Sequence, residues 1–166
     1  MTKYNQDSIV PSLVQEAAIS YGAPTRYNHL RTILGGSISI KSDMDNDMDL
    51  INLTRIGLPK KSLDSLATKL GISMERLSGL LHISHRTLQR KNPSDTLSVH
   101  VSEQVLSIAE LVRRGEEVLG SESALKQWLH SDLASLNHAQ PIQFLDTSLG
   151  TSILLKMLGR IEHGVF

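Results

Sequence analysis

Residues 66–91 read LATKLGISMERLSGLLHISHRTLQRK, and the second half of this stretch repeats the first with a spacing of eleven residues. The turn Gly71-Ile72-Ser73 returns as His82-Ile83-Ser84, and the leucines around it return as well. Each copy has the order of a helix, a tight turn, an apolar residue and a serine that can begin the next helix. The stretch therefore predicts a helix-turn-helix, with His82 at a turn position where glycine is common and where histidine costs some strain.

The helix after the second turn is polar and basic around a single leucine, Leu88. Arginine and glutamine side chains can read guanine and adenine in the major groove, and lysine can bind phosphate. Residues 59–95 hold seven Lys and Arg against three Asp and Glu, whereas the whole chain has a formal net charge of +0. We expect this helix to bind DNA; a plain helical hairpin with a solvated last helix is the alternative interpretation. The predicted DNA-binding residues are Ser84, His85, Arg86, Thr87, Gln89, Arg90 and Lys91.

Apolar residues recur at three- and four-residue spacing over most of the 166-residue chain, which predicts an all-α fold. The aromatic fraction of 4% also favours packed helices over a β-sandwich. The longest predicted helix covers 101–119, with Ser102 as its N-cap, and the last covers 147–163. The expected buried stripe of the last helix consists of Ile153, Leu154, Met157, Leu158 and Ile161.

Three regions follow from this pattern. Residues 1–49 are predicted to form a helical N-terminal region, with two helices over 6–35 and an acidic linker over 36–49. Residues 50–99 are predicted to form the helix-turn-helix domain, and residues 100–166 a small helical C-terminal domain.

The sequence lacks the residue patterns of an enzyme. It contains no glycine-rich phosphate loop, no His-Glu-x-x-His motif and no nucleophile elbow, so we expect no catalytic residue and no cofactor. The start of the chain lacks the features of a signal peptide, and no apolar run is long enough to span a bilayer, so we expect a cytoplasmic protein.

Metal binding is not expected either. The chain has no cysteine, which excludes disulfides and thiolate ligands. The alternating acids from Asp43 to Asp49 lack the glycine and glutamate of a calcium loop, because Met48 and Thr54 stand in those places. His82 and His85 are three residues apart, but no further ligand lies near them in the sequence.

Residues 57–166 resemble the Xre-type antitoxins with an MbcA/ParS-like toxin-binding domain, which are partners of RES-domain toxins. The resemblance begins with the run from Arg86 to Arg90 and continues with Val118-Leu119-Gly120 and Trp128-Leu129. It is most specific in the closing run from Leu158 to Phe166. The loop between Leu129 and Pro141 departs from the family, which implies a difference in partner choice rather than in fold.

The resemblance implies a function for both halves of the chain. Family members bind a toxin that consumes NAD, plug its active-site entrance with their C-terminal end, and repress their own operon through the helix-turn-helix. In this chain a polar and charged end beside an apolar Val165-Phe166 tip suits insertion into such a cleft. The toxin-binding residues implied are Arg160, Glu162, His163, Gly164, Val165 and Phe166.

Two questions stay open from the sequence. The alternative function is a stand-alone helix-turn-helix regulator whose C-terminal half serves dimerisation or sensing. Helix-turn-helix proteins usually bind palindromic operators as two-fold dimers, so we expect a homodimer. The helix over 101–119 and the N-terminal helices are both candidate dimer surfaces.

Overall fold

The computed structural model describes residues 25–165, so the first of the two helices predicted over 6–35 lies outside the described residues. The described helices are α1 (Arg26–Ile33), α2 (Gly36–Ser39), α3 (Asp47–Ile56), α4 (Ser62–Leu70), α5 (Met74–Leu80), α6 (His85–Arg90), α7 (Val99–Leu119), α8 (Glu122–Leu129) and α9 (Ser148–Glu162). Two 3₁₀ turns cover Ala134–Leu136 and Pro141–Asp146. The prediction of an all-α fold is confirmed, since β-pairing within 25–165 is limited to isolated bridges. None of these helices is long and apolar enough to cross a membrane.

Helix α7 is the centre of the fold and packs against α1, α3, α4, α8 and α9. Its apolar side chains at positions such as Val105, Ile108 and Val112 are completely buried. Because its own chain covers it from several sides, α7 is a poor candidate for the dimer surface. Ser98, not Ser102, caps the helix by accepting a hydrogen bond from the Val101 N–H. The predicted cap was wrong because Ser102 is buried, where its hydroxyl oxygen accepts from the Leu58 N–H at 2.9 Å.

The sequence repeat with a spacing of eleven residues corresponds to two helix ends of the same type. The residue after α4, Gly71, has φ +68°, and His82, which follows α5, has φ +54°. In both turns the next isoleucine donates its N–H to the carbonyl five positions earlier, at 3.1 Å for Ile72 and 3.0 Å for Ile83. This is the hydrogen bond of a Schellman motif, which needs a left-handed residue just past the helix. His82 therefore occupies the glycine position of the turn, as the sequence predicts.

The C-terminal half consists of α8, the 3₁₀ turn Pro141–Asp146 and α9. Thr147 caps α9 by accepting from the Gly150 N–H at 3.1 Å. A side chain at Gly150 would place its Cβ 2.0 Å from the Phe144 carbonyl oxygen, so α9 meets the turn at this glycine. The predicted buried stripe of α9 is correct at Leu154, Met157 and Leu158 but wrong at Ile153, which is 37% exposed.

Residues 36–49, predicted as a linker, pack onto the domain. Helix α2 lies within this segment, and both Ile40 and Met44 are buried. The polar residues that follow cap α3: Asn46 accepts from the Asp49 N–H, and the Asp49 carboxylate accepts from the Asp45 N–H, both at 3.0 Å. The prediction of a linker was wrong because helix caps and linkers use the same polar residues.

Candidate functional site

Helix α6 is only six residues long and has one inward-facing residue, Leu88, which is buried. Its exposed side chains are Arg86, Thr87, Gln89 and Arg90. Neither arginine forms an ion pair with any residue between 25 and 165. Both guanidinium groups therefore keep their full hydrogen-bonding capacity for an external acceptor, such as a guanine edge or a phosphate.

Three of the other predicted DNA-binding residues, unlike the two arginines, have hydrogen-bond partners within the fold. The Lys91 ammonium donates to the Thr96 carbonyl at 3.0 Å, and His85 Nε2 lies 2.9 Å from the Gln89 amide nitrogen. Ser84 precedes α6, but its hydroxyl makes no capping bond to the helix. Ser84 is exposed, so this hydroxyl can contact a ligand beside the start of α6.

The turn before α6 is fastened to the C-terminal half of the chain. His82 Nε2 lies 2.9 Å from the Asp146 carbonyl oxygen, at the junction that leads into α9. The Gln104 amide, on α7 and only 7% exposed, donates to the carbonyls of Leu80 at 2.8 Å, Leu145 at 3.2 Å and Asp146 at 3.3 Å. These contacts, which we call the turn clip, join the end of α5 to the start of α9.

The turn clip was missed by sequence reasoning, although one signal was present. Gln104 stands between Val101 and Val105, inside the apolar stripe of the longest helix. A polar side chain in a buried position needs hydrogen-bond partners. The partners themselves are backbone carbonyls from distant parts of the chain, and no spacing rule identifies those.

The last turn of α9 closes with a third Schellman motif. Gly164 has φ +66°, and the Val165 N–H donates to the Arg160 carbonyl at 2.9 Å. Gly164 thus serves as the left-handed residue that ends α9. Arg160, Glu162, His163 and Gly164 are exposed, Val165 is 58% exposed, and Phe166 lies outside the described residues. This end of the chain is therefore presented to solvent rather than packed into the core.

The charged residues of this end differ in their contacts. Glu162 forms an ion pair with Arg114 of α7, which fixes the last turn of α9 against the central helix. Arg160 forms no ion pair within the described part of the chain. Of the two, Arg160 is the better placed to contact a carboxylate of a partner.

An apolar groove of about 270 Å³ lies beside this end, between α8, the 134–136 turn and α9. Trp128 is only partly buried and lines the groove. The other lining residues are Leu133, Ser135, Met157, Arg160, Ile161 and Val165.

A network of ion pairs holds the helix-turn-helix and the C-terminal half together. Lys69 of α4 contacts Glu116 of α7 at 2.9 Å and Glu122 of α8 at 2.7 Å. His29 of α1 joins at Glu116 (2.7 Å), and Lys126 joins at Glu122 (2.7 Å). Hydrogen bonds from Lys126 and then Lys69 lower the pKa of Glu122 to about 2.

The described residues thus form a compact helical body with an exposed basic helix at one place and an exposed charged end at another. These features define a class of protein that combines a helix-turn-helix for DNA with a separate helical surface for a partner.

Comparison with known proteins identifies both parts. Residues 49–110 match the antitoxin Xre-like helix-turn-helix domain, and residues 114–164 match the antitoxin Xre/MbcA/ParS C-terminal toxin-binding domain. The chain belongs to the Xre family of antitoxins.

Two characterised proteins are similar over most of their length. One, from Sphingobium sp. (strain YBL2), is named "Prs ADP-ribosylating antitoxin" and is 26% identical over 129 residues, which cover 72% of this chain and 81% of the relative. The other, "Antitoxin Xre" from Yersinia enterocolitica serotype O:8 / biotype 1B (strain NCTC 13174 / 8081), is 23% identical over 119 residues, 70% of this chain and 80% of the relative.

Proposed function

We propose that this antitoxin neutralises a RES-type, NAD-degrading toxin by placing residues 160–166 at the entrance of the toxin's active site. The observation that carries the proposal is the exposure of Arg160 and of every described residue from Glu162 to Val165, at the end of a helix whose inner side is buried against the core. Gly164 turns Val165 away from the axis of α9, which gives the tip a shape that can enter a cleft.

The kind of toxin is supported by the relative from Sphingobium, whose name links an antitoxin to ADP-ribosylation. Transfer of ADP-ribose uses NAD, so a toxin with that chemistry has a cleft built for an anionic dinucleotide. The proposed action is binding rather than catalysis, and it needs no cofactor of the antitoxin's own.

Removal of residues 163–166 tests the proposal, because it spares the ion pair between Glu162 and Arg114. We expect the shortened chain to fold and to bind DNA normally, but to leave a co-expressed toxin active and cellular NAD depleted. The matched control is Ile56→Ala, which removes an exposed apolar side chain on α3, 66% exposed. Full neutralisation by the shortened chain would contradict the proposal.

We further propose that the antitoxin represses its own operon as a homodimer through α6. The support is that Arg86 and Arg90, on an exposed helix of the helix-turn-helix, form no ion pair with any residue between 25 and 165. Light scattering of the purified chain with and without its promoter DNA tests the dimer. A monomer that binds a single half-site in both conditions would contradict it.

A further inference from the structure

Helix α9 has a second face that the fold does not use. Its exposed residues Leu149, Ile153, Lys156 and Arg160 follow one another at spacings of four, three and four, so they lie on one side of the helix. We call this row the outer seam. The opposite side of α9 carries the buried residues, so the seam faces away from the core.

The first half of the outer seam is apolar. Leu149 is 72% exposed and Ile153 is 37% exposed. Single exposed apolar residues are common, but here two of them stand one turn apart on a helix of the toxin-binding domain. A partner that covers both would remove them from water.

The second half of the outer seam is basic. Five Lys and Arg follow residue 99, and three of them, Arg113, Arg114 and Lys126, form ion pairs within the chain. The two without an ion pair in the described structure, Lys156 and Arg160, both lie on the seam. Within the part of the chain that the structure describes, the other Lys and Arg residues after residue 99 therefore have acidic partners, and those of the outer seam do not.

The position of the seam indicates what covers it. It lies within residues 114–164, which match the toxin-binding domain, and it ends at Arg160, where the proposed active-site plug begins. We propose that the outer seam is the docking surface for the body of the toxin. The toxin would present an apolar patch to Leu149 and Ile153 and carboxylates to Lys156 and Arg160. This inference rests on the proposed function, since it extends the contact of residues 160–166 along α9.

Paired substitutions test the seam with the full chain and the purified toxin. Ile153→Glu and Lys156→Glu alter the seam, while Ile56→Glu and Lys41→Glu make the same chemical changes at exposed positions outside α9. Thermal unfolding establishes that all four variants are folded. We expect each seam variant to weaken toxin binding by about tenfold or more and each control to stay within about twofold. Operator binding should be unchanged in all four.

The outcomes separate this inference from the proposed function. If the seam variants bind toxin as the wild-type chain does, while removal of residues 163–166 abolishes neutralisation, the seam inference fails. The proposed blockage of the active site by residues 160–166 is then still supported. If the seam variants lose self-association but not toxin affinity, a second copy of this chain covers the seam and the inference is overturned. If removal of residues 163–166 leaves neutralisation intact while the seam variants abolish it, the plug fails and the seam alone holds the toxin.

Discussion

Replacement of Gln104 by methionine tests whether the turn clip holds the helix-turn-helix in place. Methionine keeps the length and flexibility of glutamine but carries no N–H donor. The Gln104 amide has two protons and three acceptors, of which the Leu80 carbonyl at 2.8 Å is the nearest, while the Leu145 and Asp146 carbonyls share the second proton at 3.2 and 3.3 Å. Two hydrogen bonds of about 1 kcal/mol each, plus partly unsatisfied buried carbonyls, predict a loss of about 2–3 kcal/mol in the free energy of unfolding.

Urea denaturation followed by helical circular dichroism measures this loss, and operator affinity measured well below the unfolding midpoint reports on the position of α6. The matched variant is His82→Gly, which removes the contact with the Asp146 carbonyl but relieves a left-handed histidine at φ +54°. These two effects are each about 1 kcal/mol and nearly cancel, so His82→Gly should leave the free energy of unfolding close to that of wild type. A Gln104→Met chain as stable as wild type would refute the reasoning, because the clip would then contribute nothing.

Three further predictions concern DNA binding, packing and pH. Arg86→Ala should weaken operator binding by about 1–3 kcal/mol in fluorescence anisotropy, and an unchanged affinity at moderate salt would remove α6 as the reading helix. Gly150→Ala should lower the free energy of unfolding by about 1–3 kcal/mol, because its Cβ would lie 2.0 Å from the Phe144 carbonyl oxygen. Gly159→Ala in the same helix meets nothing within 4 Å and should stabilise the protein by up to about 1 kcal/mol, so equal thermal midpoints for the two variants would contradict this prediction. Glu122→Gln should lower the free energy of unfolding by no more than about 1 kcal/mol at pH 7, since the carboxylate is 39% exposed and screened by solvent. The difference in stability between wild type and variant should vanish as the pH falls from 4.5 to about 2, because protonation of Glu122 removes the same ion pairs from wild type; a difference that persists at pH 2 would exclude these pairs as its cause.

The helix-turn-helix could be predicted from the sequence because its determinants are local. Gly71 and His82 hold equivalent positions in the repeat, and each ends a helix through hydrogen bonds to residues no more than five positions away. The same holds for Ser121, Thr147 and Gly164, since each caps its helix through residues that are near it in the sequence. Such positions need no knowledge of the tertiary fold.

The errors came from positions where distant residues decide. Ser102 resembles an N-cap, but tertiary packing directs its hydroxyl to the Leu58 N–H. Ile153 fits the apolar period of α9, yet the helix is covered only on the opposite side, which leaves Ile153 exposed. The turn clip depends on carbonyls that the chain brings to Gln104 from 24, 41 and 42 positions away.

The most direct measurement of the proposed neutralisation is site-specific photo-crosslinking from the chain's end. A photoreactive phenylalanine analogue at position 165, which is 58% exposed, is irradiated in the complex with the toxin, and the same analogue at Ile56 is the control. Mass spectrometry should place the crosslinks from position 165 on toxin peptides that line the NAD cleft, with none from position 56. Crosslinks from position 165 to a toxin surface remote from that cleft would contradict blockage of the active site.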